Sequence, residues 1–488
     1  MTPGPRSAVI HGHFYQPPRE DPWTDTVPRQ PSAAPFHDWN ERVERECYSA
    51  VTAARPPEES GHFSGVVNAL AWMSFDFGPT LLYWLERAAP ETYGSILEAD
   101  RLSRGRVGHG GAIALPYHHT ILPLASRRDK VTEVRWGVAD FRRRFAREPE
   151  GMWLPEAAVD DETLDVLAQE GIGFTVVGPE QVEEAPGGGL PGMYRTRSGG
   201  REIAIFVYDG ELSHGVAYGP LLKDPRAWAE RMAVGASDKD PLLVAMATDG
   251  ETFGHHHEQG EIALASVIDQ LVSQGARVEN FASFLARHPP TEAIDLIEPS
   301  SWSCVHGVER WRSDCGCKLA VETASEQTWR APLREAMDWL AGRLHEVFEA
   351  EGRQLFGDPW KARDDYGAVV PTAGTDAFEG TLREHLDRHA TRPLTGRQSA
   401  RAAELLELER NALRLFTSCG WFFDDIAGIE AVQLLRYAAR AIELSGDRAA
   451  ELEAGFQLRL ARAESNDPTA GNGREVYAKR DMLPSEVG

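Results

Sequence analysis

The chain has 488 residues, 42% of them hydrophobic and 13 of them Trp, which excludes a disordered polymer and exceeds the usual size of one domain. Lys and Arg number 51 against 75 Asp and Glu, for a formal charge of -24, and that field repels phosphate backbones and anionic lipid. No nucleic-acid or membrane partner is therefore expected, whereas a neutral substrate such as an oligo- or polysaccharide is compatible.

Taken in order, Ala8-Val9-Ile10 reads as a strand running into His11-Gly12-His13-Phe14-Tyr15-Gln16-Pro17-Pro18. Alternation along a strand puts His11 and His13 on one side, a pattern that suits metal ligation and sugar hydroxyl binding alike. Gly108-His109-Gly110-Gly111 and Tyr117-His118-His119 form a second histidine group among glycines that allow close backbone approach. Met152-Trp153-Leu154-Pro155-Glu156 places a carboxylate directly after a short apolar run, where a buried strand would end. Asp160 caps a predicted helix through Leu164, Leu167 and Ala168 that stops at Gly171. Strands are predicted at Ile172 to Val177, Ile203 to Tyr208 and Leu242 to Ala247, the last leading into Asp249-Gly250-Glu251-Thr252-Phe253-Gly254-His255. A helix follows from Glu261 to Leu271. Repeated strand–helix units imply a parallel sheet, open or closed into a barrel, and the chemically interesting residues fall at strand C-terminal ends.

Beyond about residue 320 the periodicity is helical, at Ala331 to Ala350, Ser399 to Phe416, Ile429 to Leu444 and Ala449 to Ala463. The five cysteines, an odd number in a long chain, argue against a disulfide framework and make a cytoplasmic location the expectation. No signal peptide or membrane span is expected. Cys304, His306, Cys315 and Cys317 are zinc ligands in type and number, but their spacing is not that of a common zinc ribbon, and buried loop thiols are the expectation. Trp421, Phe422 and Phe423 could pave a sugar cleft or pack helices together.

Four blocks in order carry a resemblance: His11 to Pro17, His119 to Pro123, Gly151 to Glu156 and Asp249 to His255. With Trp-Leu-Pro-Glu and Asp-x-Glu-x-Phe-Gly-His in the last two, the chain resembles glycoside hydrolase family 57. That resemblance implies an α/β fold, an incomplete (β/α)7 barrel over 1–300, then a helical domain over 301–465 that completes the cleft; residues 466–488, rich in Asn, Gly, Pro and charge, read as a loose tail. The resemblance implies retaining chemistry on α-linked glucans, with Glu156 as nucleophile and Asp249 as general acid/base. His11, His13, His119, Trp153, Glu251, His255 and Trp421 are implied as substrate-side residues, with no metal and no cofactor. His256 and His257 stand where branching-type members often carry Trp, and Cys419-Gly420 replaces the acid of a Ser-Asp-Trp-like block.

Two carboxylates about 5–5.5 Å apart are what double displacement requires. A proton-donating Asp249 needs a raised pKa, which burial and the charge of Glu156 would both promote. Two other readings are open: a metal-dependent hydrolase of the polysaccharide deacetylase kind using His11, His13 and Asp249, and a carbohydrate-binding protein without turnover. The sugar, the linkage, hydrolysis versus transfer, and the oligomeric state are not legible.

Overall fold

Eight buried residues in succession, Ser7–Phe14, form strand β1, and everything that positions the candidate site is referenced to it. The computed structural model describes residues 6–56, 65–233, 242–319 and 325–480. The chain forms two compact units, each drawn from separated segments. The first holds Met1–Gln16, Pro35–Leu115 and Phe141–Trp302, the second Pro17–Ala34, Pro116–Asp140 and Ser303–Gly488.

In the first unit β1 lies between β2 (Ser74–Phe77) and β6 (Leu243–Asp249), both parallel to it, and β7 (Arg277–Val278) pairs with its first residues. A separate sheet has β3 (Phe174–Val177) parallel to β5 (Glu202–Val207), with β4 (Gly192–Arg195) antiparallel on the far side of β5. Single parallel bridges connect the two sets, Phe75 with Ala112, Ala114 with Met152, and Gly151 with Phe174. Parallel pairing thus passes from β6 through β1, β2, the segments at 112–114 and 151–152, to β3 and β5. Both faces of such a sheet are covered, and β1, β2 and β3 are accordingly buried at every residue, not at alternate ones. Val9, Ile113, Leu115, Trp153, Phe174, Val176, Phe206, Ala245 and Phe281 share one core cluster.

Predicted elements are largely found. Asp160 accepts a hydrogen bond from Thr163 N–H at 2.8 Å and caps Asp161–Gln169, and the helix ahead of Gly275 spans Gly260–Ser273. The run before Glu156 differs from expectation, because it makes only bridges on its two flanks and then enters a 3-10 turn, Pro155–Ala157. Four residues that turn so soon cannot extend a ladder.

The second unit is helical. Arg330–Leu355, Gly396–Arg414, Ile429–Leu444 and Ala449–Leu460 match the predicted periodicities, and Phe378–His389 is an added helix. Its core carries a charged network: Arg363 Nη1 donates to Asp129 and Glu409 at 2.8 Å each, and Nη2 donates to Thr132 at 2.8 Å. Within the segment expected to be a loose tail, Gly473–Ala478 is a helix capped by Asn472 with Val476 and Tyr477 buried, and 481–488 lie outside the described residues. None of the five cysteines is in a disulfide. Among the described residues, no helix is long and apolar enough to cross a membrane.

Candidate functional site

Strand alternation carries His11 and His13 to one side of β1, as the sequence implies, and the register sets a carboxylate on each flank. His13 is paired with Asp76 of β2 and with Asp249 of β6. Asp76 receives both imidazoles, His11 Nε2 at 3.1 Å and His13 Nδ1 at 2.7 Å, while His11 Nδ1 meets Ser74 Oγ at 3.2 Å. All are buried. Gly12 between them is required by close approach, since a Cβ there would stand 2.8 Å from the Phe14 ring.

Electrostatics sort these groups. Burial pulls His11 down against the opposing pull of Asp76. For His13 burial also acts downward, but Asp76, Asp249 and Glu251 outweigh it and push the imidazole up to about 9, so it is cationic at neutral pH. Asp249 is pushed up to about 6 by burial, with His13 opposing and Glu156 and Asp76 adding to the rise.

Glu156 sits at φ 58°, ψ 22°, and Ala157 follows at φ 48°. Two successive non-glycine residues in the left-handed region cost about 1–2 kcal/mol each. Their surroundings hold them there. Trp302 N–H donates to Glu156 O at 3.0 Å and Gln181 Nε2 donates to Ala157 O at 2.7 Å. Trp302 Nε1 then donates to the Glu156 carboxylate at 3.1 Å. Trp153 lies under the histidines, 4.7 Å from the His11 ring and 5.5 Å from that of His13, with Trp302 edge-on to it at 5.1 Å. Trp153 is fully buried and supports the rings from below; it offers no face to a ligand.

After Asp249 the chain turns through Gly250–Phe253. The Glu251 carboxylate accepts from Tyr48 Oη at 2.5 Å and from Tyr15 N–H at 3.1 Å, and burial first, then Asp249, push it up to about 8. Tyr48 closes a π turn, Glu44–Tyr48, a local geometry often found beside functional sites. Gly254 abuts that turn so closely that a Cβ would lie 2.2 Å from Glu46 O. His255 binds Glu46 at 2.5 Å and stands edge-on to Trp39, whereas His257 Nε2 reaches Ala217 O at 2.8 Å.

Sequence reading did not single out Asp76, Tyr48, Trp302 or Tyr218. Asp76 lies in Ser74-Phe75-Asp76-Phe77, a short run whose acid signals nothing until it is paired with β1. Tyr218, exposed just after helix Gly210–Ala217, has its phenol shifted upward by nearby protein atoms first and then by the charges of Asp249 and Glu156.

The remaining predicted residues belong to the second unit. His119, at φ 55°, binds Ser418 Oγ through Nδ1 at 2.6 Å. Trp421 is buried, with its indole N–H on Arg330 O at 3.4 Å, so of the two readings of that aromatic run helix packing describes this side chain. A fully buried indole has no surface left on which a sugar could stack. Cys304, His306, Cys315 and Cys317 converge, against the expectation of unrelated loop thiols, with ligand atoms all within 4.8 Å of one another.

Residues 72–297, which contain Asp76, Glu156, Asp249, Glu251 and His255, match the profile of glycosyl hydrolase family 57. That segment, a little under half of the chain, is what is similar to glycosyl hydrolase family 57. Residues 326–487 match a domain of unknown function, DUF3536. A 4-alpha-glucanotransferase of Thermococcus litoralis is 24% identical over 46% of this chain and 35% of its own length. An alpha-amylase of Dictyoglomus thermophilum is 25% identical over 36% of this chain and 25% of its own. The chain thus spans only about a quarter to a third of the length of these curated relatives. An exo-type maltose-forming amylase from Pyrococcus sp. ST04 shares the fold, with a TM-score of 0.74 at 16% identity over 98% of this chain and 93% of that one.

Proposed function

We propose that this protein is a family 57 enzyme, a retaining hydrolase or transferase of α-linked glucans, with residues 1–300 folded as an incomplete (β/α)7 barrel around Glu156 and Asp249. The succession of parallel pairings from β6 to β5 supports the barrel. One observation carries the chemistry: Asp249 is buried and raised to about 6, with the charge of Glu156 adding to the rise, close enough to neutrality to act as a proton donor. Glu156, the group that acts on it, accepts the indole N–H of Trp302. Glu156 Oε attacks the anomeric carbon as Asp249 gives its proton to the departing glycosidic oxygen. In the second half Asp249 takes a proton from water or a glucan hydroxyl, whose oxygen displaces Glu156. The amylase and glucanotransferase relatives support α-glucans as the substrate class.

The metal-dependent reading is weakened by His11, which has both ring nitrogens engaged, on Ser74 and Asp76. The deciding experiment is Asp249→Ala assayed with an activated aryl α-glucoside and with maltooligosaccharides. Bond cleavage without an acid should fall about 10²–10⁴-fold on the natural substrate and far less on the aryl one. Azide should then restore turnover with retained anomeric configuration. Equal losses on both substrates with no azide rescue would remove Asp249 from the role.

A further inference from the structure

We infer that Cys304, His306, Cys315 and Cys317 form a closed, structural zinc site in the second unit. Two of the sulfur–sulfur distances decide the geometry: Cys304 to Cys315 is 3.9 Å and Cys304 to Cys317 is 3.8 Å. A tetrahedron with Zn–S bonds near 2.3 Å has S–S edges of about 3.8 Å. His306 Nδ1 lies 3.7 Å from Cys317 Sγ, against an ideal N–S edge of about 3.6 Å for the same ion. Disulfide bonding is a different geometry, with sulfurs near 2.05 Å, and it could serve only two of the three thiols.

The backbone is shaped to present these four groups. Cys304-Val305-His306-Gly307 closes as a turn, with Gly307 N–H donating to Cys304 O at 3.1 Å and Gly307 at φ 81°. Cys315 and Cys317 flank Gly316, also at φ 81°, a conformation that a side-chain-bearing residue adopts only with strain. Among its described residues, the stretch between Trp302 and Arg330 contains one short helical turn, Glu309–Trp311, and no strand. A connection that long needs something other than secondary structure to hold it. Three thiolates and an imidazole around Zn²⁺ carry a net charge of about -1, and the guanidinium of buried Arg330 donates to Cys317 O at 2.7 Å. Arg310 donates to Ser303 O at 3.3 Å and to Phe422 O at 2.8 Å, tying the same loop to the segment after Trp421. Three soft sulfurs and one nitrogen, three of whose separations match tetrahedral edges, select zinc over hard cations. With all four positions filled by protein the ion has no open site, so its work is to fold the loop, not to activate water.

The test uses the full-length chain produced in zinc-supplemented medium and purified under reducing conditions. Elemental analysis should find about one zinc per chain, and Cys315→Ser/Cys317→Ser should hold about tenfold less. Replacement of zinc by Co²⁺ should give the strong thiolate charge-transfer band and visible spectrum of a tetrahedral sulfur-rich site. That cobalt spectrum is read on the wild-type chain, so it decides the matter even if the double variant does not fold. Zinc-free protein with no such spectrum would overturn the inference. So would unchanged zinc in the double variant, or a Cys304–Cys315 or Cys304–Cys317 disulfide as the stable form.

Discussion

The carboxyl of Glu156 accepts a hydrogen bond from an indole that lies far off in the sequence. Trp302 Nε1 reaches it at 3.1 Å, and hydrogen bonds to charged groups are worth about 1.5–3 kcal/mol. Trp302→Phe keeps the ring against Trp153 but removes that donor, and should lower kcat about 10–100-fold with little change in KM. Glu156→Gln should abolish turnover and prevent trapping of a glycosyl ester, because an amide is no nucleophile; wild-type-like rates would remove Glu156 from the role. Its second effect is electrostatic. Glu156 is one of the charges raising Asp249, so the neutral amide should move Asp249 down from about 6, which a ¹³C-detected carboxylate titration can follow. In the unsubstituted chain the proton-bearing form of Asp249 is the active one. Hence kcat/KM should fall about tenfold per unit as pH rises above about 6.

At the level of elements, the strand ends share protons as a group. Asp249 at about 6, Glu251 at about 8 and His13 at about 9 are all raised above their unfolded values. Each therefore contributes stability that is complete below its unfolded pKa and lost as pH rises through its folded one, so the signs add. The thermal midpoint should fall as pH is taken from about 5 to about 9. Glu251→Gln should flatten that dependence, since a Gln carbonyl can still accept from Tyr48 and Tyr15. A midpoint that rises over this range would contradict the protonation states assigned. The turn after β6 has its own test. Gly254→Ala would push Glu46 O and the π turn away, costing about 1–3 kcal/mol and loosening Tyr48 from Glu251. Unfolding in urea measures the first effect and the pH profile of activity the second.

Over the whole molecule the two units rest on different cores, an aromatic and aliphatic cluster under parallel strands in one and packed helices around a buried ion network in the other. Arg363→Met takes from the buried Glu409 one of its two cationic partners and leaves His345 as the other, and loss of one member of a buried ion network costs about 3–5 kcal/mol. Denaturant unfolding should register that loss, and a second change, Glu409→Gln, should recover much of it. If Arg363→Met is neutral, the network is not holding the helices.

Helix periods, the Asp160 cap and the strands at β1, β5 and β6 were legible in the chain because 3.6-residue and buried-strand patterns are local. That His11 and His13 share one side of β1 and that Asp249 closes β6 was legible too, because strand alternation and the apolar run before Asp249 are local. Asp76, Tyr48 and Trp302 were not, since each meets the site only through pairing or packing with a distant segment. Trp153 and Trp421 were legible as aromatics but not as buried ones. The four zinc-type ligands could be counted in the sequence, yet only the two glycine turns brought their atoms within 4.8 Å. Sequence supplies the chemical groups and their local conformation; the register of β1 against β2 and β6, a long-range property, decides which of them lie side by side and shift one another's hold on protons.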